Sequence, residues 1–368
     1  MFGKRIKKSA ALVSFGALAA VTQWFWPDPA LADQFQRIYR SPYFLGRGDT
    51  GVAVADNEEA IFYNPAGLAQ GSGIFKGLSI FSPGIEISSD TRSLVKDLAS
   101  SQGGNTISKL TEHIGENQHI GFNNFSGLLF RRAAIGIVTS NETDVLVYKD
   151  PKQGGLEAVQ ADLYSTTGLT FTLADSFYGG KMLLGMTLAY YKRAQAELDL
   201  GLLEAQSLND TSSIFGYGTT SPVTFGAMFL LPGKNESSIG VTIHNVGDAH
   251  VTPDNPDLSV DNLKQRIDLG YASTSSSKAA TARLLVDYID ATSAYSSNVY
   301  KKLHVGGEIG LGKRVGLSAG LNQGGPCAGI FIDAWLLRID SGFYTEELSD
   351  KVGLRSDRRY FVRIKAGF

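Results

Sequence analysis

Residues 46–51 read Gly-Arg-Gly-Asp-Thr-Gly, a string that fits the G-x-G-x-x-G loop of phosphate cradles and contains the adhesion tripeptide Arg47-Gly48-Asp49. A phosphate cradle needs a strand running into its first glycine and a helix leaving its last, so that free backbone N–H groups meet the anion. Here Pro42 interrupts the approach, and Val52 to Leu68 shows no convincing amphipathic helix. Nucleotide binding is therefore not expected, and a tripeptide recurs too often by chance to argue for adhesion. The five histidines, His113, His119, His244, His250 and His304, are not set at metal-ligand spacing. No nucleophile–base set can be assembled, so the sequence predicts neither an enzyme nor a metal or cofactor site.

The charges that remain follow a different rule. Arg266 and Asp268 alternate with Ile267, Leu269 and Tyr271, and Arg283 and Asp287 oppose Leu284, Val286 and Tyr288. His304 and Glu308 oppose Leu303, Val305, Ile309 and Leu311, and Arg363 and Lys365 oppose Tyr360, Val362 and Ile364. A period of two with one charged and one apolar face describes a strand between two different solvents. Arg266, Asp268, Arg283, Asp287, His304, Glu308, Arg363 and Lys365 are therefore candidate lumen charges of a barrel. Both signs are present, which predicts an ion-pair network anchoring an interior segment to the wall. A sharper reading makes them a polar throat that opens when a ligand displaces that segment.

The elements that would position these residues start with an export signal. Lys4, Arg5, Lys7 and Lys8 precede a mostly apolar run from Ala10 to Trp26, and Ala30-Leu31-Ala32 supplies the small-x-small cleavage pattern. Residues 1–32 are expected to be a cleaved signal peptide. Without them the chain carries 30 Lys+Arg against 35 Asp+Glu, an acidic balance unsuited to nucleic acid. The single cysteine, Cys327, cannot form an intrachain disulfide, which fits a bacterial envelope protein better than a eukaryotic secreted one. No later stretch is apolar for the length of a membrane helix. An exported chain rich in Gly (42) and in Tyr and Phe (15 and 20) can still live in a membrane as a closed barrel.

The alternation recurs in segments of about 10 residues, the span a tilted strand needs to cross a bilayer. Turns such as LPGKNES and GLGKRVG separate them. The fold class is all-β: a transmembrane antiparallel barrel of 14 strands over residues 76–368, with an N-terminal plug over 33–75. A pair of short amphipathic helices is expected within 91–118, split at Gly103-Gly104, and an irregular insertion within 201–218. The final strand ends on Phe368, which resembles the C-terminal signal read by the barrel-assembly machinery.

One string is more specific. GDTGVAVADNEEAIFYNPAGLA, Gly48 to Ala69, resembles the N-terminal signature of the FadL-like outer-membrane superfamily. The resemblance rests on Ala55, Asp56, Phe62, Tyr63, Asn64, Pro65, Ala66, Gly67 and Leu68. SIGVTIHNVG (238–247), LHVGGEIGLGKRVGLSAGLNQGG (303–325) and FYTEEL (343–348) resemble the PorV-like branch, so the likeness runs through nearly the whole mature chain. That superfamily includes long-chain fatty acid and aromatic hydrocarbon transporters, and PorV-type barrels of secretion and gliding systems. The resemblance implies a Gram-negative outer-membrane protein, with outer-membrane lipid around it and its N-terminal segment folded inside as a plug. Its partner would be a hydrophobic small molecule taken up passively or, in the PorV-like alternative, a secretion-system protein held by a non-transporting scaffold. Asn64, Pro65, Ala66 and Gly67 would form the plug motif, Asn64 closing a turn, Pro65 fixing φ and Ala66-Gly67 allowing close packing.

Overall fold

The computed structural model describes residues 37–367 apart from 72, 101–111, 151–154, 202–213, 234 and 313. The expected signal peptide, the second of the expected helices, most of the 201–218 insertion and Phe368 lie outside the described residues. Among the described residues, fourteen long strands run up and down in chain order. They are β1 (Phe75–Phe81 and Gly84–Ser88), β2 (Asn117–Phe130), β3 (Ala133–Asp150), β4 (Leu156–Phe177), β5 (Met182–Gly201), β6 (Gly216–Thr220 and Val223–Leu231) and β7 (Glu236–His244). The second half contains β8 (Arg266–Ser276), β9 (Ala280–Tyr288), β10 (Leu303–Leu311), β11 (Val315–Asn322), β12 (Gly325–Asp333), β13 (Leu337–Glu347) and β14 (Ser356–Gly367).

Each strand pairs antiparallel with the next, and β14 returns to β1 with Arg363 opposite Gly84 and Tyr360 opposite Ile87. The sheet has closed on itself, which pairs the backbone around the ring and removes the exposed edges of an open sheet. Strand number and closure match the sequence expectation. β1 and β6 are each broken at a proline, Pro83 and Pro222, which has no N–H to give to a ladder. Side chains repair the first break: Ser82 N–H donates to Asn124 Oδ1 at 2.8 Å and Ser82 Oγ to the Phe125 carbonyl at 2.8 Å. At the second, the Pro222 carbonyl accepts from Ala189 N–H at 3.1 Å.

One end of the barrel carries turns of a few residues, such as Arg131-Arg132 and Ala334–Leu336. The other end carries the long connections, including 89–116 and 245–265. One of these holds a helix, Ser89–Ser100, at the place where the first amphipathic helix was expected. The strand after it starts at Asn117, and β6 starts at Gly216, so each expected insertion is two or three residues shorter at its C-terminal side.

Along the strands burial alternates, as in Leu303–Leu311, where His304 and Glu308 are buried and Leu303, Ile309 and Leu311 exposed. The outward set is apolar around the ring: Ile135, Phe171, Tyr190, Phe225, Leu269, Leu284, Ile330 and Val362 are all exposed. In water this would be one continuous apolar surface of a size that soluble monomers avoid. Against hydrocarbon it is the surface a barrel needs.

Candidate functional site

The interior is occupied by the chain's own N-terminal segment. From Arg37 to Ala69 it forms a short helix at Pro42–Leu45, another at Ala60–Tyr63 and a 3-10 turn at Pro65–Ala69. Phe44, Leu45, Val52, Ala60, Ala66 and Leu68 are each no more than 1% exposed. Arg47 and Asp49 are buried too, so the adhesion tripeptide faces the lumen and offers nothing to another cell.

The segment approaches the wall through glycines. On β5 and β6, Gly185 and Gly226 lie against Pro65, and a Cβ on Gly226 would stand 2.8 Å from its Cδ. On β8, a Cβ on Gly270 would stand 2.7 Å from Val52 Cβ, and on β12 one on Gly329 would stand 3.0 Å from Gly46 Cα. Gly240 on β7 and Gly306 on β10 meet the Val52 and Arg47 carbonyls. These inward glycines leave a trough where backbone lies on backbone. Gly48 is the one residue of the opening string that needs glycine for its conformation, with φ +80°. Its N–H donates to Cys327 Sγ at 3.0 Å, and its carbonyl faces His304 Nδ1 at 2.7 Å. Gly51 has no such need; it is small because Tyr63 Cδ1 would stand 2.7 Å from a Cβ there.

Asn64 organises the turn. Its Oδ1 accepts from Ala66 N–H at 3.1 Å, while Nδ2 donates to the Val52 carbonyl at 2.7 Å and to the Ala227 carbonyl of β6 at 3.1 Å. Pro65 starts the 3-10 turn, Ala66 is fully buried, and a Cβ on Gly67 would collide with the Ala55 carbonyl.

All eight candidate lumen charges face inward, and six meet the segment directly. Glu308 joins Arg47 at 3.1 Å and Arg283 at 2.7 Å, and Tyr43 Oη lies 3.2 Å from both arginines. The Tyr43 ring is also covered by the guanidiniums of Arg47 and Arg338, 4.5 and 4.1 Å from its centroid. Asp287 accepts from the Gly51 and Val52 N–H groups at 2.7 and 3.0 Å. Arg363 donates to Glu59 at 2.6 Å and to Asp340 of β13 at 2.7 Å, and Lys365 pairs with Glu58 at 2.5 Å. Burial would raise the Glu58 carboxyl, but Lys365 and Arg363 outweigh it and hold it down at about 2. Arg266 and Asp268 instead pair with each other at 2.9 Å, beside His244.

Three further arginines, Arg37, Arg40 and Arg359, make buried pairs that were not among the candidate lumen charges. Arg37 pairs with Asp49, which also accepts from the Tyr63 hydroxyl. Arg40 pairs with Glu346 at 2.8 Å. On the wall, Arg359 joins Asp144 at 2.8 Å and Asp357 at 2.7 Å. Arg37 and Arg40 sit in a stretch with no strand period, whereas Arg359 lies on the same charged face of the last strand as Arg363, and its period placed it inward without naming its partners. Another string, Gly316-Leu317-Ser318-Ala319-Gly320, has the G-x-S-x-G form of a nucleophile elbow. It lies straight along β11, paired on both sides, and Ser318 packs towards Gly46. An elbow needs a strand-to-helix turn, so this serine is a wall residue.

Outside the wall, a cleft of about 710 Å³ opens between β4 and β7, lined by Leu173, Phe177, Leu184, Met186, Phe225 and Ile243. Its floor includes Gly185 and Gly226, the two glycines that hold Pro65 on the inner side. There the wall is a single backbone thick between the apolar cleft and the Asn64–Gly67 turn.

No family model and no curated protein sequence matches the chain. Solved structures do. The toluene transporter TodX of Pseudomonas putida aligns over 91% of this chain and 98% of its own, with 10% identity and a TM-score of 0.50. The chain has the toluene-transporter fold. The toluene transporter TbuX of Ralstonia pickettii aligns over 89% of this chain and 97% of its own, at 12% identity and a TM-score of 0.47. The closed antiparallel barrel expected from the sequence is thus met as a fold. The PorV-like branch, and the scaffold role it implied, gain no support from these neighbours.

Proposed function

We propose that this chain is a Gram-negative outer-membrane barrel for passive uptake of hydrophobic small molecules, gated by movement of its N-terminal segment. The observation that carries the reading is the position of the Asn64–Gly67 turn, one glycine-thin wall away from an apolar cleft open to lipid. Residues 37–69 act as a plug, held by hydrogen bonds and ion pairs that can be exchanged without breaking any strand pairing. A hydrophobic molecule cannot cross a charged lumen cheaply, since the buried charges would lose their partners as it passed. A route that shifts the Asn64–Gly67 turn and meets the outer cleft avoids that cost. The toluene transporter with the same fold supports a hydrophobic cargo, and the lumen pairs supply the closed state.

The test is uptake in cells lacking other hydrophobic-compound channels. Expression of this chain should raise the rate at which labelled toluene or palmitate crosses the outer membrane. Uptake unchanged from the empty-vector strain for both probes would overturn the reading.

A further inference from the structure

The apolar outer belt ends, towards the long loops, in an aromatic row. Phe343 of β13 stands opposite Tyr360 of β14, their ring centroids 6.5 Å apart, and Ile87 of β1 stands on the far side of Tyr360. All three belong to the outward set: their strand neighbours Tyr344, Arg359 and Glu86 are buried in the lumen. Just beyond this row sit two exposed arginines. Arg358 places its guanidinium carbon 5.4 Å from the Phe343 centroid, and Arg92, on the helix Ser89–Ser100, places its own 6.0 Å from Tyr360. Lys96 is exposed one helical turn further along.

Neither arginine has an acidic partner among the described residues. The neighbouring carboxylates are engaged elsewhere. Glu347 accepts from the N–H groups of Gly353 and Arg355 at 2.6 and 2.9 Å and from the Ser349 and Ser356 hydroxyls. Asp90 accepts from Asn117 N–H at 3.2 Å, and Asp357 is taken by Arg359. The rim thus presents two exposed guanidiniums beside aromatic rings, with no acidic partner among the described residues, where the apolar belt ends. Planar donors of this kind match a phosphate better than any other lipid group.

We infer that Arg92 and Arg358 form a lipid-binding site for the phosphate groups of a phosphorylated lipid in the leaflet around the long-loop rim, with Phe343, Tyr360 and Ile87 against its first acyl carbons. The inference rests on the barrel spanning a bilayer, and not on what the barrel transports.

Purified full-length protein is reconstituted in phosphatidylcholine nanodiscs doped with bisphosphorylated lipid A or with the same lipid dephosphorylated, and retained lipid is counted by native mass spectrometry. The phosphorylated form should be retained in preference, and each arginine should account for roughly a fivefold share of the preference. Arg92→Ala with Arg358→Ala should remove it, Arg92→Lys with Arg358→Lys should keep part, and excess inorganic phosphate should not displace the lipid. Equal retention of both lipids by the unmodified protein would overturn the inference, and that comparison needs no variant to fold. Preference unchanged in the double alanine variant would overturn it as well. Hydrophobic uptake, measured separately, should be the same in the double variant and the parent, so failure of one reading does not touch the other.

Discussion

Arg363 on the closing strand and Glu59 in the N-terminal segment lie 304 positions apart in the chain and meet at 2.6 Å. The same guanidinium holds Asp340 on β13 at 2.7 Å. One side chain therefore ties the plug to the two strands beside the barrel's closing seam. Removing one member of a buried pair leaves the other charge uncompensated, at a cost of about 3–5 kcal/mol.

Arg363→Ala combined with Lys365→Ala should leave Glu58 and Glu59 facing each other without cations. The plug should then spend measurable time undocked, and leak conductance in planar bilayers should rise well above that of the parent. The Arg363→Lys variant should leak less than the alanine double variant, because a cation is kept. Conductance unchanged in the alanine variant would remove these residues from any docking role.

Glycine in the opening string makes a second expectation. Gly48→Val must place a β-branched residue at φ +80°, a region costing L-residues about 1–2 kcal/mol before any clash. Gly51→Val drives a side chain into the Phe44 and Tyr63 rings. The fraction of protein reaching the heat-modifiable, protease-resistant form should fall in each single variant and further in the double. Normal assembly together with normal pore properties in the double variant would contradict the docked geometry.

Strand alternation, lumen-facing charge and the count of fourteen were legible because period two is set by the backbone and survives any sequence detail. The pairing of those charges was not. His304 and Glu308 share a face at a spacing that says nothing about Gly48 or Arg47, which reach them from some 260 residues away. The helix Ser89–Ser100 was visible in the spacing of Leu94, Val95 and Leu98, whereas the short helix Pro42–Leu45 has no periodicity to detect. GRGDTG, once nucleotide binding and adhesion are set aside, has no periodicity that assigns its glycines a role. Only the enclosing wall shows that one of them answers a dihedral requirement and the others a lack of space.

The Glu58–Lys365 pair gives a pH dependence with a definite sign. The carboxyl's ordinary value is 4.5 and docking lowers it to about 2. A group depressed on docking contributes stability that is fully present above its undocked value and is lost as pH falls through its docked value. Leak conductance should therefore be flat from pH 7 to pH 5 and rise as the pH drops from about 4.5 towards 2. Glu58→Gln should start with a higher leak at pH 7 and show a weaker rise on acidification. A parent protein whose leak rises between pH 7 and pH 5 would place control of the plug on some other group.

Asn64 offers the most direct probe of the route itself. Its side chain closes the Ala66 turn and bonds both the plug, at the Val52 carbonyl, and the wall, at the Ala227 carbonyl. Asn64→Ala abolishes these bonds and a longer one to the Val241 carbonyl at 3.5 Å, four in all, a loss of about 1–3 kcal/mol for each group left unsatisfied. Because Gly185 and Gly226 separate this turn from the outer cleft, loosening it should act on hydrophobic cargo more than on ions. Native mass spectrometry of the protein extracted gently from its membrane should show a bound hydrophobic small molecule on the parent barrel. The Asn64→Ala protein should hold less of it while taking up labelled probe faster, with ion leak changed far less than in the Arg363/Lys365 variant. If ion leak rose as much as in that variant while uptake stayed at the parent rate, the Asn64–Gly67 turn would be an anchor of the closed state alone, and the cargo would have to pass elsewhere.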